Sequence, residues 1–279
     1  MRAGTTDPFE IIALAGWTAD RNERAMHGAR QLGRRIASAT GRPLVEVGAP
    51  EPARHRPWSE ALEHARPHLR EVARAVDHAV RRGPALVVAN RCAAAVATIG
   101  AALAACPGLA VLYLDAQADF NTPETTPSQY LGGMVISALC GLWDSGHGAG
   151  LTTGRLVLAG ARDIDPGERV LLDEHGVRVR DVRDPRAIAD RLRGRPVWIH
   201  VDLDVLEPGE IPTEYRVPGG PSLDELRGVL AEVAAAADVR ALEIAEYELE
   251  PEQAELHMAR IEHLIEPVLT QWDERATRA

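Results

Sequence analysis

The sequence feature that most constrains the fold is a repeated alternation of short, unbroken apolar runs with longer amphipathic segments. Apolar runs such as 84–90 and 109–115 lack the polar alternation of a strand that has one face in water. They predict strands that are buried on both faces. Segments such as 58–83 and 222–238 have apolar residues at helical spacing and fall between the runs. Repeated strand–helix units of this kind predict a parallel sheet covered by helices.

The same pattern continues along the whole chain. We predict strands at 9–16, 43–48, 84–90, 109–115, 155–161, 177–182, 196–205 and 240–248. We predict helices at 22–37, 58–83 and 222–238, and a final helix that starts near Glu252. No Pro/Gly-rich linker divides the sequence, so we expect residues 1–279 to form a single α/β domain.

Composition narrows the choice of partners and chemistry. The net charge of −10 argues against nucleic acid and against an anionic membrane surface as partners. The chain contains no lysine, which excludes a lysine Schiff base or lysine general base. No apolar run approaches the roughly 18 residues that span a bilayer. The first twenty residues lack the features of a signal peptide, and three widely spaced cysteines fit a reducing compartment, so we expect a cytoplasmic protein.

Polar side chains gather at the ends of three predicted strands, the place where parallel α/β sheets carry their functional residues. Cys92 follows the first of these strands and opens a helix. The second strand ends in "DAQADFN", which contains Asp115, Gln117, Asp119 and Asn121, and the third ends in "HVDLD", which contains His200, Asp202 and Asp204. Because side chains alternate along a strand, His200, Asp202 and Asp204 should point to one face.

Four of these residues are aspartates, and carboxylates that share a partly buried site repel one another unless a cation is present. A single D-x-x-x-D segment in a loop is usually solvated turn chemistry. Two acidic segments at strand ends, together in a chain of repeated strand–helix units, favour a site for divalent metal, and oxygen ligands suit Mg, Mn or Ca.

Five short motifs resemble those of one enzyme family. Residues 115–123, "DAQADFNTP", resemble D-A-H-[AT]-D-x-N-T-P, and residues 200–208, "HVDLDVLEP", resemble S-x-D-x-D-x-L-D-P. The segments "RDIDPGE" at 162–168 and "VPGG" at 217–220 also match, and "ALEIAEYELEP" places Glu246 at a family glutamate. On these residues the chain resembles the ureohydrolase superfamily of arginases, agmatinases and related guanidino hydrolases, and "RDIDPGE" is typical of the arginase branch.

The resemblance implies an arginase-like fold, a three-layer α/β/α sandwich around an eight-stranded, mainly parallel sheet. It implies a metal-dependent hydrolase that cleaves the guanidino C–N bond of arginine, or of a derivative such as Nω-hydroxy-L-arginine, with a metal-activated hydroxide. The partner would be a small guanidino amino acid, and the family commonly forms homo-oligomers. The implied cofactor is Mn²⁺, one or two per chain, with Zn or Fe as alternatives because a cysteine thiolate at position 92 is a softer ligand.

Carried over residue by residue, the resemblance assigns the metal ligands Asp115, Asp119, Asp202, Asp204, Cys92 and Gln117. Cys92 and Gln117 stand where the family has its two histidine ligands. Gly132 stands where the family has its proton-shuttle histidine. These three departures fall at the reacting end of the implied site.

The implied substrate-binding residues are better preserved. Asn121 and Ser128 match positions that hold the substrate carboxylate, and Asp165 and Glu168 match acids near its α-amino group. Glu246 matches the glutamate that closes the guanidinium pocket. Asn121 and the Asp165-Pro166-Gly167 segment are also good turn formers in their own right, which is the alternative reading.

Two residues have no counterpart in the family pattern. His200 could reach toward Gln117 as a ligand or as a replacement proton shuttle, or it could be a supporting or core histidine. Arg91 stands where the family has aspartate. It could supply a permanent positive charge in place of a cation, or it could point away and pair on the surface.

Two functional classes follow from these departures. The first is an active hydrolase with an altered metal site and the catalytic residues Glu246, His200 and Asp119. A substrate with a less basic guanidine, such as Nω-hydroxy-L-arginine, suits a weaker metal site. The second is a catalytically weak or inactive family member that binds an arginine-like ligand or regulates a partner. A Cys92 nucleophile is disfavoured, since neighbouring aspartates raise the pKa of a thiol.

Overall fold

The computed structural model describes residues 9–278. Residues 1–8 and residue 279 lie outside the described residues. Residues 1–8 are part of the segment in which we expect no signal peptide. The strands are β1 (Glu10–Leu14), β2 (Leu44–Val47), β3 (Ala85–Ala89), β4 (Ala110–Leu114), β5 (Leu156–Ala159), β6 (Val179–Arg180), β7 (Pro196–Asp202) and β8 (Asp238–Ala245). The α-helices are α1 (Arg24–Thr40), α2 (Trp58–Arg82), α3 (Ala95–Ala105), α4 (Val135–Leu139), α5 (Pro166–Glu174), α6 (Pro185–Leu192), α7 (Leu223–Ala236) and α8 (Ala254–Arg278). Within residues 9–278, no helix is both long and apolar enough to cross a membrane.

All eight strands form one sheet in the order β2-β1-β3-β8-β7-β4-β5-β6. Every neighbouring pair is parallel. Helices α2 to α5 pack on one face of the sheet, and α1, α6, α7 and α8 pack on the other. The three-layer α/β/α fold predicted from the sequence is confirmed.

The central strands are apolar throughout because helices cover both faces of the sheet. On β3, Val87 packs into the core on the α2 and α3 side, whereas Leu86 and Val88 pack into the core on the opposite side. On β4, Tyr113 and Leu112 alternate in the same way. Unbroken apolar runs of this kind therefore indicate strands that are buried on both faces.

One predicted strand ends earlier than its sequence pattern indicates. The run 196–205 was expected to be extended through Asp204, but β7 stops at Asp202 and Leu203–Val205 forms a 3₁₀ turn. The carboxylate of Asp202 accepts the backbone N–H of Asp204 at 2.8 Å and so caps that turn. The alternation of side chains along a strand therefore places His200 and Asp202 on one face, and Asp204 reaches the same region from the turn.

The ends of β3, β8, β7 and β4 meet at the centre of one sheet edge, because these four strands are direct neighbours. Arg91 and Cys92 follow β3, and Glu246 follows β8. Asp202 ends β7 and Asp115 follows β4. Residues far apart in the chain are thereby gathered at the carboxyl edge, where ligands bind in open parallel sheets.

Candidate active site

A cavity of about 200 Å³ opens at this edge of the sheet. Most of the residues predicted for the site line it, namely Cys92, Gln117, Asp119, Asn121, Ser128, Asp165, Glu168, Asp202 and Glu246. Asp115, Asp204 and His200 do not line the cavity and are buried. The structure therefore brings the predicted residues together in one place.

We use the name aspartate cluster for Asp115, Asp119, Asp202 and Asp204, all of which are at most 5% exposed. Burial raises the pKa of Asp115 and Asp202 well above the usual range for aspartate, and neighbouring carboxylates raise it further. Burial, followed by the nearby Glu246, raises the pKa of Asp204 to about 7. Within residues 9–278, no arginine or histidine forms an ion pair with these four carboxylates.

The donor atoms of this region fit a divalent metal. Ligand atoms lie within 4.8 Å of one another in three groups, which are Asp115–Asp202–Asp204, Cys92–Asp202–Glu246 and Cys92–Asp115–His200. Asp119 belongs to none of the three groups, and its Oδ2 accepts the hydroxyl of Tyr113 at 2.6 Å. Carboxylate oxygens together with the thiol of Cys92 and the imidazole of His200 can hold a first-row divalent ion.

Cys92 lies between the aspartates and His200. Its Sγ lies 2.6 Å from Asp202 Oδ2, 4.0 Å from Asp115 Oδ2 and 3.4 Å from His200 Nε2. Burial, and then the charge of Asp202, raise the pKa of the thiol well above its usual range. Without a cation the group stays a thiol, which argues against Cys92 as a nucleophile and leaves the metal-ligand prediction open.

His200 is fixed by its neighbours across the sheet. Tyr113, His200 and Glu243 are register partners on β4, β7 and β8. Glu243 Oε2 lies 2.9 Å from His200 Nδ1, and the Tyr113 ring stacks on the imidazole with centroids 4.2 Å apart. Nε2 consequently faces Cys92, so the expected reach toward Gln117 is not what the structure shows.

Gln117 contacts the aspartate cluster through hydrogen bonds. In the amide orientation that satisfies its neighbours, its side-chain nitrogen donates to Asp204 Oδ2 at 2.9 Å and to Asp115 Oδ1 at 3.1 Å. Its backbone N–H also donates to Asp115 Oδ1 at 2.6 Å. These hydrogen bonds reduce the repulsion between the carboxylates of Asp115 and Asp204. Gln117 stands where the family pattern has a histidine ligand.

Tyr130 fills the space next to Gly132. A Cβ atom at position 132 would lie 2.5 Å from Cε1 of the Tyr130 ring, so a histidine side chain has no room there. The ring is buried and lines the cavity. No histidine lines the cavity within residues 9–278. Nothing in the spacing of the sequence pointed to Tyr130.

The predicted substrate-binding residues form a hydrogen-bonded group at the other end of the cavity. Asn121 Nδ2 donates to Asp165 Oδ2 at 3.1 Å. The Glu168 carboxylate accepts the backbone N–H of Phe120 at 2.7 Å and that of Asp165 at 3.3 Å. Burial raises the pKa of Glu168 to about 7. Ser128 lines the cavity beside this group.

Arg91 is completely buried, so of the two alternatives left open by the sequence, the one in which it points away and pairs on the surface is wrong. Its guanidinium forms ion pairs with Asp20 at 3.2 Å, Glu214 at 2.9 Å, Glu246 at 2.5 Å and Glu248 at 3.2 Å. We call these five residues the Arg91 cluster. Arg91 therefore supplies a buried positive charge, but it supplies it to these acids and not to the aspartate cluster.

Backbone strain is concentrated beside the cavity. Within residues 9–278, the non-glycine residues with positive φ are Asp119 at 49°, Gln129 at 53° and Glu246 at 69°. Such conformations persist where the surrounding structure holds them, and they are common at functional sites. Asp119 and Glu246 both line the cavity, which supports a functional role for this edge.

Comparison with known proteins agrees with the geometry. Residues 27–262 match the profile of the arginase family. The chain is 41% identical over 264 residues to the N(omega)-hydroxy-L-arginine amidinohydrolase of Streptomyces lavendulae, covering 93% of this chain and 96% of that one. The crystal structure of the Bacillus subtilis arginase superposes with a TM-score of 0.78 at 22% identity, covering 93% of this chain and 97% of that one. The chain therefore belongs to the arginase family.

Family membership confirms the resemblance found in the motifs, and with it the prediction of a hydrolase that acts on a guanidino group. It favours this activity over the alternative of a non-catalytic binding protein. The roles of individual residues remain predictions.

Proposed function

We propose that the chain hydrolyses the guanidino C–N bond of Nω-hydroxy-L-arginine and releases hydroxyurea. The observation that carries this proposal is the 41% identity, over 93% of this chain, to an enzyme named for that substrate. The altered reacting end is consistent with it. Cys92, Gln117 and Gly132 replace three family histidines, and an N-hydroxyguanidine is less basic than the guanidine of arginine, so it tolerates a weaker site.

We propose that Cys92, Asp115 and Asp202 hold one divalent metal firmly, and that Asp204 belongs to a second, weaker position. Manganese is the proposed ion, with zinc or iron as alternatives because sulfur is a soft ligand. When bound, the metal supplies the activation of water that hydrolysis needs. Gln117 weakens the second position because its amide nitrogen, not its oxygen, faces Asp204 and Asp115.

The chain's own residues bind and orient the substrate. Asn121, Ser128 and Asp165 line the cavity and present groups suited to the carboxylate and α-amino group of an amino acid. Glu168 has its carboxylate engaged by two backbone N–H groups, so it acts by holding this loop in position. Preorganised contacts at this end determine where the guanidino carbon lies.

At the reacting end, Glu246 lies beside Cys92 and accepts its backbone N–H at 3.0 Å. Asp119 is oriented by the Tyr113 hydroxyl, and the Tyr130 ring closes the wall next to Gly132. These residues position the guanidino group and limit the entry of water. A cytoplasmic location, action as a single domain, and assembly into a homo-oligomer are further parts of this proposal.

His200 is proposed as a neighbour that holds Cys92 in position, or as an additional ligand. His200→Ala should lower metal affinity by about 10- to 100-fold, because it removes the group that contacts Cys92 Sγ. Equilibrium dialysis with Mn²⁺ measures this. Metal affinity and activity equal to those of the unmodified chain would exclude both roles.

The proposed function is tested by incubating the manganese-loaded chain with hydroxyarginine, arginine and agmatine, and measuring hydroxyurea or urea. We expect kcat/KM for hydroxyarginine to exceed that for arginine by about tenfold or more, in line with the tens- to hundreds-fold discrimination that a single pocket difference gives. Chelated protein is the control. Faster turnover of arginine than of hydroxyarginine would contradict the proposal.

A further inference from the structure

The Arg91 cluster places a guanidinium of the protein itself against a carboxylate of the cavity wall. Glu246 Oε2 lies 2.5 Å from Arg91 Nη1, and Glu246 Oε1 accepts the backbone N–H of Cys92 at 3.0 Å. Glu246 lines the cavity, whereas Arg91 does not. Both oxygens of the carboxylate thus have a donor before any ligand arrives.

Glu246 is held firmly in this arrangement. Its backbone has a left-handed conformation with φ of 69°, and its N–H donates to the carbonyl of Asn90 at 3.2 Å. The side-chain amide of Asn90 donates to Asp20, which is another partner of Arg91. The contacts of the carboxylate and of its backbone therefore converge on the segment that carries Arg91.

Arg91 is a permanent cation in this position. Burial alone would lower the pKa of its guanidinium, but the surrounding carboxylates, Glu246 foremost, hold that pKa well above the ordinary value. A ligand cation that approached Glu246 would share the carboxylate with Arg91 and would meet a like charge close by.

We propose that Arg91 is a specificity-determining positioning residue that makes Glu246 a partner for an uncharged N-hydroxyguanidine and a poor partner for a charged guanidinium. The inference rests on the proposed function, because it concerns the same cavity and substrate class. The guanidinium of arginine is charged at any ordinary pH, since its pKa exceeds about 12. An N-hydroxy substituent lowers the basicity of the group, so the uncharged form is accessible.

A purely structural role for Arg91, as the counter-ion of buried acids, predicts no change in the choice of ligand. The two roles are separated by calorimetric binding to the manganese-loaded full chain, with L-arginine as the charged ligand. L-citrulline serves as the uncharged ligand, since its ureido group has a similar shape. The measured quantity is the ratio of the two dissociation constants.

Arg91→Gln combined with Glu248→Gln removes one positive and one negative charge, so that the net charge of the cluster is unchanged. We expect this double variant to shift binding toward arginine, relative to citrulline, by at least about tenfold, because a like charge has been removed. Arg91→Lys keeps a cation but cannot reproduce all four ion pairs of the guanidinium, so its ratio should lie closer to the unmodified ratio than that of the double variant. Glu248→Gln alone is the matched control and should not shift the ratio toward arginine.

A double variant that is folded by circular dichroism and has an unchanged ratio would overturn the inference. If the double variant does not fold, the ratio of dissociation constants of the unmodified chain is the test. The inference requires that the unmodified chain bind citrulline at least as tightly as arginine. A tenfold preference of the unmodified chain for arginine, or no binding of either ligand, would also overturn it. The hydroxyurea assay is independent, so absence of hydroxyurea release refutes the proposed function while the binding ratio still decides the role of Arg91.

Discussion

Two groups of buried acids lie side by side at the carboxyl edge of the sheet, and they differ in the source of their positive charge. In the Arg91 cluster, four carboxylates surround one guanidinium that the chain supplies. In the aspartate cluster, four carboxylates have no arginine or histidine ion pair within residues 9–278. Glu246 and Cys92 lie where the two groups meet.

The difference is what we expect if the aspartate cluster, and not the Arg91 cluster, binds an external cation. Buried carboxylates without a counter-charge have raised pKa values and destabilise the folded state at neutral pH. In the Arg91 cluster one guanidinium offsets part of that cost within the chain, although burial still raises the pKa of Asp20 to about 6. The aspartate cluster keeps that cost, which is expected of residues that acquire their counter-charge from a bound metal.

The largest effect is expected for Asp204→Asn. We expect kcat/KM for hydroxyarginine to fall by roughly 100-fold, because the change removes a carboxylate of the second, weaker metal position that lies close to Asp115 and Asp202. The same change should raise the unfolding midpoint of the metal-free protein, because it relieves carboxylate repulsion. Steady-state assays and chemical denaturation measure the two effects.

Glu248→Gln is the matched control, since it makes the same carboxylate-to-amide change in the other group. It should lower stability, because Arg91, Arg24 and Asn22 all lose a charged partner. Equal effects of the two variants on the stability of the metal-free protein would remove the distinction between the two clusters.

Gln117→His should tighten the second metal position by about 10- to 100-fold, because it exchanges an amide donor for an imidazole ligand. The metal content per chain after dialysis against Mn²⁺ should rise from near one toward two. Gln129→His is the control, since Gln129 is exposed near the cavity and donates to Thr126 instead. The same metal content in both variants would show that Gln117 does not limit the site.

Metal-free protein should lose stability as pH rises from about 4 to about 7. Asp204 and Glu168 have ordinary values of 3.8 and 4.5 and folded-state pKa values of about 7. In that window the folded state binds more protons than the unfolded state, so the free energy of unfolding decreases with pH, by about 2 kcal/mol or more. Denaturation at pH 5 and pH 8 measures it.

Manganese should reduce this pH dependence, because the metal then provides the counter-charge for Asp204. A free energy of unfolding that increases with pH in the metal-free protein would show that these carboxyl groups are not protonated in the folded state.

The smallest effect is expected at the amino-acid end of the cavity. Asp165→Asn should raise KM for hydroxyarginine by about tenfold with little change in kcat, because it weakens a contact made equally before and during reaction. Asp163→Asn, a change in another acid that lines the cavity, is the control. A fall in kcat without a change in KM would place Asp165 at the reacting end instead.

The pattern of apolar residues predicted the strands, because strands that are buried on both faces have unbroken apolar sequences. It thereby predicted the edge of the sheet where the site lies. The motifs then identified many, but not all, of the residues that line the cavity. Glu243 carried a signal that could have been used, since it is an acid with apolar residues on both sides in "ALEIA" at 241–245. It turned out to be the partner of His200.

Other features depend on strand register and on side-chain packing, which local patterns do not encode. Asp204 entered the site from a turn because Asp202 caps the backbone there. The orientation of His200 follows from the strand register that places it between Tyr113 and Glu243. The partners of Arg91 come from segments that are widely separated in the sequence, so their convergence was visible only in the fold.

The most direct test of a metal-dependent aspartate cluster is the manganese content per chain, measured by plasma mass spectrometry after loading and desalting. We expect about one tightly held equivalent in the unmodified chain, because Cys92, Asp115 and Asp202 each belong to two of the three groups of close ligand atoms. The content should be close to zero in Asp202→Asn. A folded, unmodified chain that retains no metal would contradict a metal-dependent hydrolase at this site.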